Sequence, residues 1–262
     1  MSQVRMADVG WVWEGHGLDP GVHPSIFGVG EGADFFGLRR VHYMFHPNDE
    51  LAMDKLNGLD EVVCDIAKWR FKDTEGGGSR SYGDASFETV RAEAANVSRL
   101  SQRYPNVTGA IHDDMKGLVE REGITADAYA DVHAALKADT PDLKLWSVVY
   151  THELDSDVWS GFLPFIDVVN LWVWNAKDLH TLDDGIERCR SVFGPRPIYV
   201  GCYLRDYPTA APVPMDRVRH QWERIAAHLA AGTIAGYAIL GAVLIDGQQE
   251  QARWIRDFIA SH

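Results

Sequence analysis

Apolar residues along the chain fall in eight short runs, separated by stretches that carry the helical period, and this alternation predicts the architecture. The runs are rich in β-branched and aromatic residues and cover 9–15, 38–45, 61–69, 106–114, 144–153, 168–175, 197–206 and 235–246. Among the intervening stretches, "DASFETVRAEAANVSRLSQRY" places Phe87, Val90, Ala94, Val97 and Leu100 close to a 3.6-residue spacing. Thr125 stands as an N-cap before the next such stretch, and Gly194 as a C-cap after "TLDDGIERCRSVF". Residues 215–232 and 249–262 close the series, while 28–37 and 48–58 predict two short, glycine-flanked helices near its start. The glycine-rich stretch 72–84, "KDTEGGGSRSYGD", reads as an exposed loop inside one unit, because the same pattern resumes after it. Eight strands alternating with about eight helices predict a single-domain (β/α)8 TIM barrel over residues 1–262, with a doubly wound open sheet as the alternative.

Alternation within the runs predicts which side chains enter the barrel. In the seventh run Val200, Cys202 and Leu204 fit the helix-facing side, leaving Tyr199, Gly201, Tyr203 and Arg205 inward. In the third, Val62, Cys64 and Ile66 face outward, and Val63, Asp65 and Ala67 inward. The fourth run, "NVTGAIHDDM", is ambiguous: either Ile111 and Asp113 share the inner face, or Ala110, His112 and Asp114 do. The second arrangement is the favoured expectation, with the other aspartate capping the next helix or pairing with a neighbouring strand.

Composition narrows the function. The net charge of −13, from 38 acidic against 25 basic residues, argues against a nucleic-acid partner, and no basic cluster offsets it. No apolar run is long enough to span a bilayer and no N-terminal signal segment is present, so a membrane role is not expected. Cys64, Cys189 and Cys202 are too few and scattered for a disulfide framework, which fits buried thiols in a cytoplasmic protein. Nine tryptophans exceed what a core of this size needs, and tryptophan also offers a flat face to sugar rings. The "GVGEG" at 28–32 follows no strand that would make it a phosphate loop.

A barrel of this class builds its site where the strands end. Read there, the runs finish in Glu14 with His16 following, in His46, in Asp65, Lys68 and Trp69, and in His112, Asp113 and Asp114. The later ones finish in Tyr150, His152 and Glu153, in Trp174 and Asn175, in Tyr203, Arg205 and Asp206, and in Asp246. The strand beginnings are mostly apolar, and a barrel made only for packing has no reason to gather carboxylates at one rim. Two carboxylates flanking a bond are the minimum for glycoside hydrolysis, so Glu153 with Asp113 or Asp114 is the expected acid/base pair. Burial and like charge keep one member of such a pair protonated near neutral pH. Glu14, His16, His46, Asp65, Lys68, His112, Tyr150, His152, Asn175, Tyr203, Arg205 and Asp206 are candidate substrate contacts, with Trp69, Trp174 and Trp13 as stacking faces. Asp65 reads equally as one half of an internal ion pair with Lys68 or Arg205, since a lone buried carboxylate is costly.

The segment "YPNVTGAIHDDM", residues 104–115, resembles the "YP…GxxxDDF" segment of uncharacterised bacterial (β/α)8 proteins described as glycoside-hydrolase-like, with Met115 where that pattern has an aromatic. The resemblance implies a sugar-active or sugar-binding barrel with Asp113 and Asp114 lining its pocket. The expected partner is therefore a small carbohydrate, and no cofactor is required. Two alternatives stand beside this reading. One is a metal-dependent hydrolase or isomerase drawing on His16, His46, His112, His152 and the rim carboxylates, although no HxH or HExxH spacing occurs. The other is a sugar-binding barrel without catalysis.

Overall fold

A computed structural model describes residues 5–15, 22–74 and 78–262; for Trp69, 71–74 and 78–81 only the backbone is described. Eight parallel strands close into a barrel in simple sequential order. They are β1 (Gly10–Trp13), β2 (Arg40–Tyr43), β3 (Glu61–Asp65), β4 (Val107–His112), β5 (Lys144–Tyr150), β6 (Val168–Trp172), β7 (Ile198–Tyr203) and β8 (Gly236–Leu240). Each lies within one of the eight runs. Outside them pack α1 (Val29–Phe36), α2 (Glu50–Leu56), α3 (Phe87–Ser101), α4 (Met115–Glu122), α5 (Ala126–Leu136), the single-turn α6 (Ser156–Trp159), α7 (Leu182–Phe193), α8 (Met215–Ala230) and α9 (Gln249–Ser261). Thr125 caps α5 by accepting the Ala128 N–H, as its position before the periodic stretch predicts.

Period-two alternation sorts the strand residues into two apolar layers. Val12, Val41, Val62, Cys64, Ala110, Leu145, Val200 and Cys202 face the helices. Trp11, Trp13, Met44, Val63, Ile111, Trp146, Val148, Val168, Trp172 and Ala238 fill the barrel itself. Four tryptophans fit inside because a neighbouring strand carries glycine: a Cβ at Gly201 would lie 2.0 Å from the Trp172 ring. All three cysteines are buried free thiols.

The structure corrects the sequence reading in four places, each where local pattern and strand geometry part company. The stretch 72–84 is not a simple loop: Lys68–Thr74 and Gly78–Asp84 pair as an antiparallel hairpin. Its second strand, GSRSYGD, is polar and carries two glycines, so no hydrophobic alternation marks the partner of the Trp69 and Phe71 alternation in the first. Lys68 and Trp69 consequently open this hairpin instead of ending β3. Several strands also stop earlier than their apolar runs. β8 ends at Leu240 and a 3-10 turn follows at Ala242–Leu244, whose Ala242 and Leu244 stay buried and so extend the apolar signal. Similarly Thr151–Glu153 form a 3-10 turn after β5, and Arg205–Asp206 pair with Ala211–Pro212 in a separate two-stranded ribbon.

Candidate active site

The end of β4 is the centre of the site. Ile111 lies in the inner layer and Ala110 in the outer, so alternation continues to Asp113 on the inner face. His112 points the other way: fully buried, its Nδ1 is 2.9 Å from the Tyr129 hydroxyl on α5. The expectation of His112 and Asp114 sharing the inner face is therefore corrected, and His112 is a residue of the helix layer. Its burial drives the imidazole pKa down to about 3 and keeps it neutral.

Asp114 still reaches the mouth, by a backbone turn. It adopts a left-handed conformation (φ 46°, ψ 35°) that aspartate tolerates better than most residues, which breaks the strand alternation. It holds the N-cap position of α4 without making the side-chain capping bond. Instead its Oδ1 accepts the Tyr150 hydroxyl, from the inner face of β5, at 2.8 Å. Both adjacent carboxylates therefore open on one mouth, Asp113 partly exposed and Asp114 more so. The surrounding protein raises both proton affinities. For Asp113 the charges of Asp114 and then Asp65 add to this confinement, while for Asp114 the Tyr150 bond works against it.

Aromatic side chains wall this pair. The phenols of Tyr150 and Tyr203 are pushed well up by burial and by their neighbours, including both aspartates, and stay protonated. Trp174 meets Tyr150 edge-on at 5.6 Å and Tyr203 at 6.2 Å, and stacks on Tyr207 at 5.8 Å. Trp174 is 36 % exposed, a large apolar face turned to solvent at the rim. Tyr207 went unrecognised in the sequence because it lies beyond the apolar run. Its only signal is proximity to the polar Arg205–Asp206 step. The Arg205 guanidinium, itself buried, sits over the Tyr207 ring at 5.7 Å.

Other rim candidates carry the architecture. Asp206 is buried, accepting the Ala176 N–H at 2.9 Å and the Thr209 hydroxyl at 2.6 Å, so it ties two rim loops. Asp246 likewise accepts the Ser25 hydroxyl and the Ile26 N–H. Glu153 bends back so that Oε2 accepts the Tyr150 N–H at 3.1 Å, capping its own 3-10 turn. Half-burial raises its proton affinity, and the Asp114 charge adds a smaller push. His152 is exposed and stacks on Tyr150 at 5.4 Å, beside the mouth. Asn175 sits half-buried at the start of the loop after β6, next to Trp174.

Across the mouth, buried Glu14 meets His46 Nε2 at 3.1 Å, and that contact raises the imidazole's proton affinity. Lys68 is buried and donates to the His46 carbonyl at 3.1 Å, with Glu93 Oε2 at 4.0 Å. Asp65 is fully buried and so cannot touch a substrate in this conformation; burial raises its pKa to about 7 although Lys68 opposes the shift. Trp13 is a core residue, packed edge-on against Trp172 at 5.5 Å. His16 and the Trp69 side chain lie outside the described residues. Among the described residues no three His, Cys, Asp or Glu side chains converge as metal ligands. Of the histidines of the metal-dependent alternative, His46, His112 and His152 are dispersed beside Glu14, Tyr129 and Tyr150 respectively.

No protein-family model matches the chain, and no curated protein matches it by sequence. Solved structures do match in fold. A chitinase from Chromobacterium violaceum superposes with a TM-score of 0.57 over 98% of this chain and 100% of that one, at 10% identity. A family 18 chitinase from Crocus vernus gives 0.54 over 96% and 98%, at 12% identity. The GH53 catalytic domain from Ignisphaera aggregans gives 0.55 over 91% and 86%, at 11% identity. At such identities the likeness is one of fold: this chain has the barrel on which these glycoside hydrolases are also built.

Proposed function

We propose that the protein cleaves a glycosidic bond of a small carbohydrate at the C-terminal mouth of the barrel, with Asp113 as general acid and Asp114 as its ionised companion. The observation that carries this reading is the unequal setting of two adjacent carboxyls. Asp113 is crowded by protein and by two further carboxylates, so it holds its proton. Asp114 accepts a hydrogen bond from Tyr150 that favours its charged form. Environments that push neighbouring proton affinities apart assign acid and base roles. Protonated Asp113 then delivers its proton to the departing glycosidic oxygen as the C–O bond breaks, ionised Asp114 stabilises positive charge growing at the anomeric carbon, and a water molecule adds to that carbon and returns a proton to Asp113. Trp174 and Tyr207 offer the flat faces on which a sugar ring stacks. The likeness in fold to glycoside hydrolases supports the reading without naming a sugar.

Turnover of a panel of aryl glycosides by wild type and Asp113→Asn tests it. The variant is expected to lose at least about a hundredfold in rate on poor leaving groups. It should lose much less on activated phenols, which depart without protonation. Equal losses on both, or no turnover of any glycoside by the wild type, overturns the assignment. Sugar binding without turnover selects the non-catalytic barrel instead.

A further inference from the structure

Asp65 is the one carboxyl of the rim set that is wholly closed off from solvent, and its position relative to Asp113 is set by the barrel. In the β3–β4 ladder Asp65 is the register partner of Ile111, and the Ile66 N–H bonds the Ile111 carbonyl at 3.0 Å. Asp113 stands two residues beyond Ile111 on the same inner face, diagonally adjacent to Asp65. The Asp65 charge is felt at Asp113, after that of Asp114. Oδ1 of Asp65 accepts the Ala67 N–H at 2.9 Å. Oδ2 is buried and has no hydrogen-bond partner.

We propose that Asp65 is a positioning residue that acts through Asp113, as the buried inner member of a carboxyl pair that keeps a proton on Asp113 for the reaction. A bare carboxylate oxygen in such a place is costly, and a proton held within the pair relieves it. The remaining charges around the pair are accounted for. Asp65 is faced by Lys68 from the hairpin and Glu93 from α3. Lys68 also donates to the His46 carbonyl, and its charge favours the ionised form of Asp65. Asp113 is faced by Asp114, whose charge is exposed to solvent, and by the neutral phenols of Tyr150 and Tyr203. When the inner carboxyl ionises beside Lys68, the field it exerts on Asp113 is not diluted by water.

This inference rests on reading Asp113 as the acid, but its test counts protons instead of turnover, so the two can fail separately. Carboxyl titration of 13C-aspartate-labelled protein by NMR is read for wild type, Asp65→Asn and Asp113→Asn. Removing Asp65 should bring the Asp113 midpoint down by at least about one pH unit, the scale of shifts produced by a close like charge. Asp113→Asn should leave Asp65 as the one member of the pair that titrates, near 7, and abolish the Asp113 step. If the Asp113 midpoint stays in place in Asp65→Asn, the pair does not exist. If Asp65→Asn does not fold, Asp113→Asn decides alone: a buried carboxyl titrating in the ordinary aspartate range overturns the proposal. In a turnover assay, Asp65→Asn should move the alkaline limb of the pH–rate profile to lower pH by the same shift, a displacement that a purely structural role does not produce.

Discussion

The Tyr150 hydroxyl donates to Asp114 Oδ1 at 2.8 Å and so joins the end of β5 to the turn that follows β4. This bond explains why an aspartate at a helix N-cap leaves the cap unmade: its carboxylate is held by the neighbouring strand. It also gives Asp114 a reason to ionise before Asp113. In Tyr150→Phe that support is gone, so the Asp114 proton affinity rises and the acidic limb of the pH–rate profile moves to higher pH. Carboxyl titration or a pH–rate series checks the direction. A limb that stays put would mean the bond has no hold on the titration.

The packing of Trp172 against Gly201 makes a second prediction. A Cβ at Gly201 would come within 2.3 Å of three atoms of the indole, inside a barrel already filled by Trp11, Trp13 and Trp146. The ring has no open side to retreat to, so Gly201→Ala should destabilise the fold by about 1–3 kcal/mol, the usual range for overpacking. Chemical denaturation measures it. A neutral effect would show that the inner layer repacks freely.

Much of this was legible in the residues, for reasons that also mark the limit. Alternation placed Tyr199 and Tyr203 inside the barrel because β7 is regular through both. It failed at Asp114, where one left-handed residue turns the side chain to the face that alternation denies it. Strand-end reading pointed to Asp113, Asp114, Tyr150, Tyr203 and Trp174, which the fold brings to one mouth. It could not separate them from Asp206 and Asp246, whose roles depend on backbone N–H groups and hydroxyls brought in from distant loops. The hairpin at Lys68–Thr74 and Gly78–Asp84 was hidden because its second strand, GSRSYGD, carries no apolar alternation to pair with the first.

His42 supplies a prediction about pH. Its ring lies inside the barrel, stacked on Trp11 at 4.8 Å and beside Trp146 at 5.0 Å, with neither nitrogen hydrogen-bonded. Burial lowers its pKa from 6.5 to about 3, so in the folded state it stays neutral where the unfolded chain takes up a proton. Its contribution to stability is therefore full above about pH 6.5 and falls away as pH drops toward 3. Asp65 runs the opposite way: with its pKa raised to about 7, it disfavours the fold increasingly as pH rises from 3.8 through 7. His42→Leu should remove the first term alone, reducing the stability difference between neutral pH and two units below by about 2 kcal/mol. Urea titrations of both proteins at the two pH values report this; an unchanged difference would mean that His42 is protonated in the fold.

Glu153 separates two roles that a strand end can serve. Its Oε2 accepts the Tyr150 N–H, a capping contact that a neutral amide oxygen can reproduce, while general acid or base chemistry needs a carboxyl. If Glu153 only holds the 3-10 turn, Glu153→Gln keeps both fold and turnover near wild type. Glu153→Ala then loses about 1 kcal/mol of stability, the scale of a lost cap, and loosens Tyr150 against Asp114. If it is a second catalytic carboxyl, Glu153→Gln loses about a hundredfold or more in rate with its stability unchanged. The geometry favours the cap, because the carboxylate is turned onto its own backbone while the Asp114 carboxylate, not Glu153, receives the Tyr150 hydroxyl in the mouth. Rate and denaturation midpoint measured on the same two variants give four numbers, and only the first pattern leaves Asp113 and Asp114 as the sole acid/base pair of the barrel.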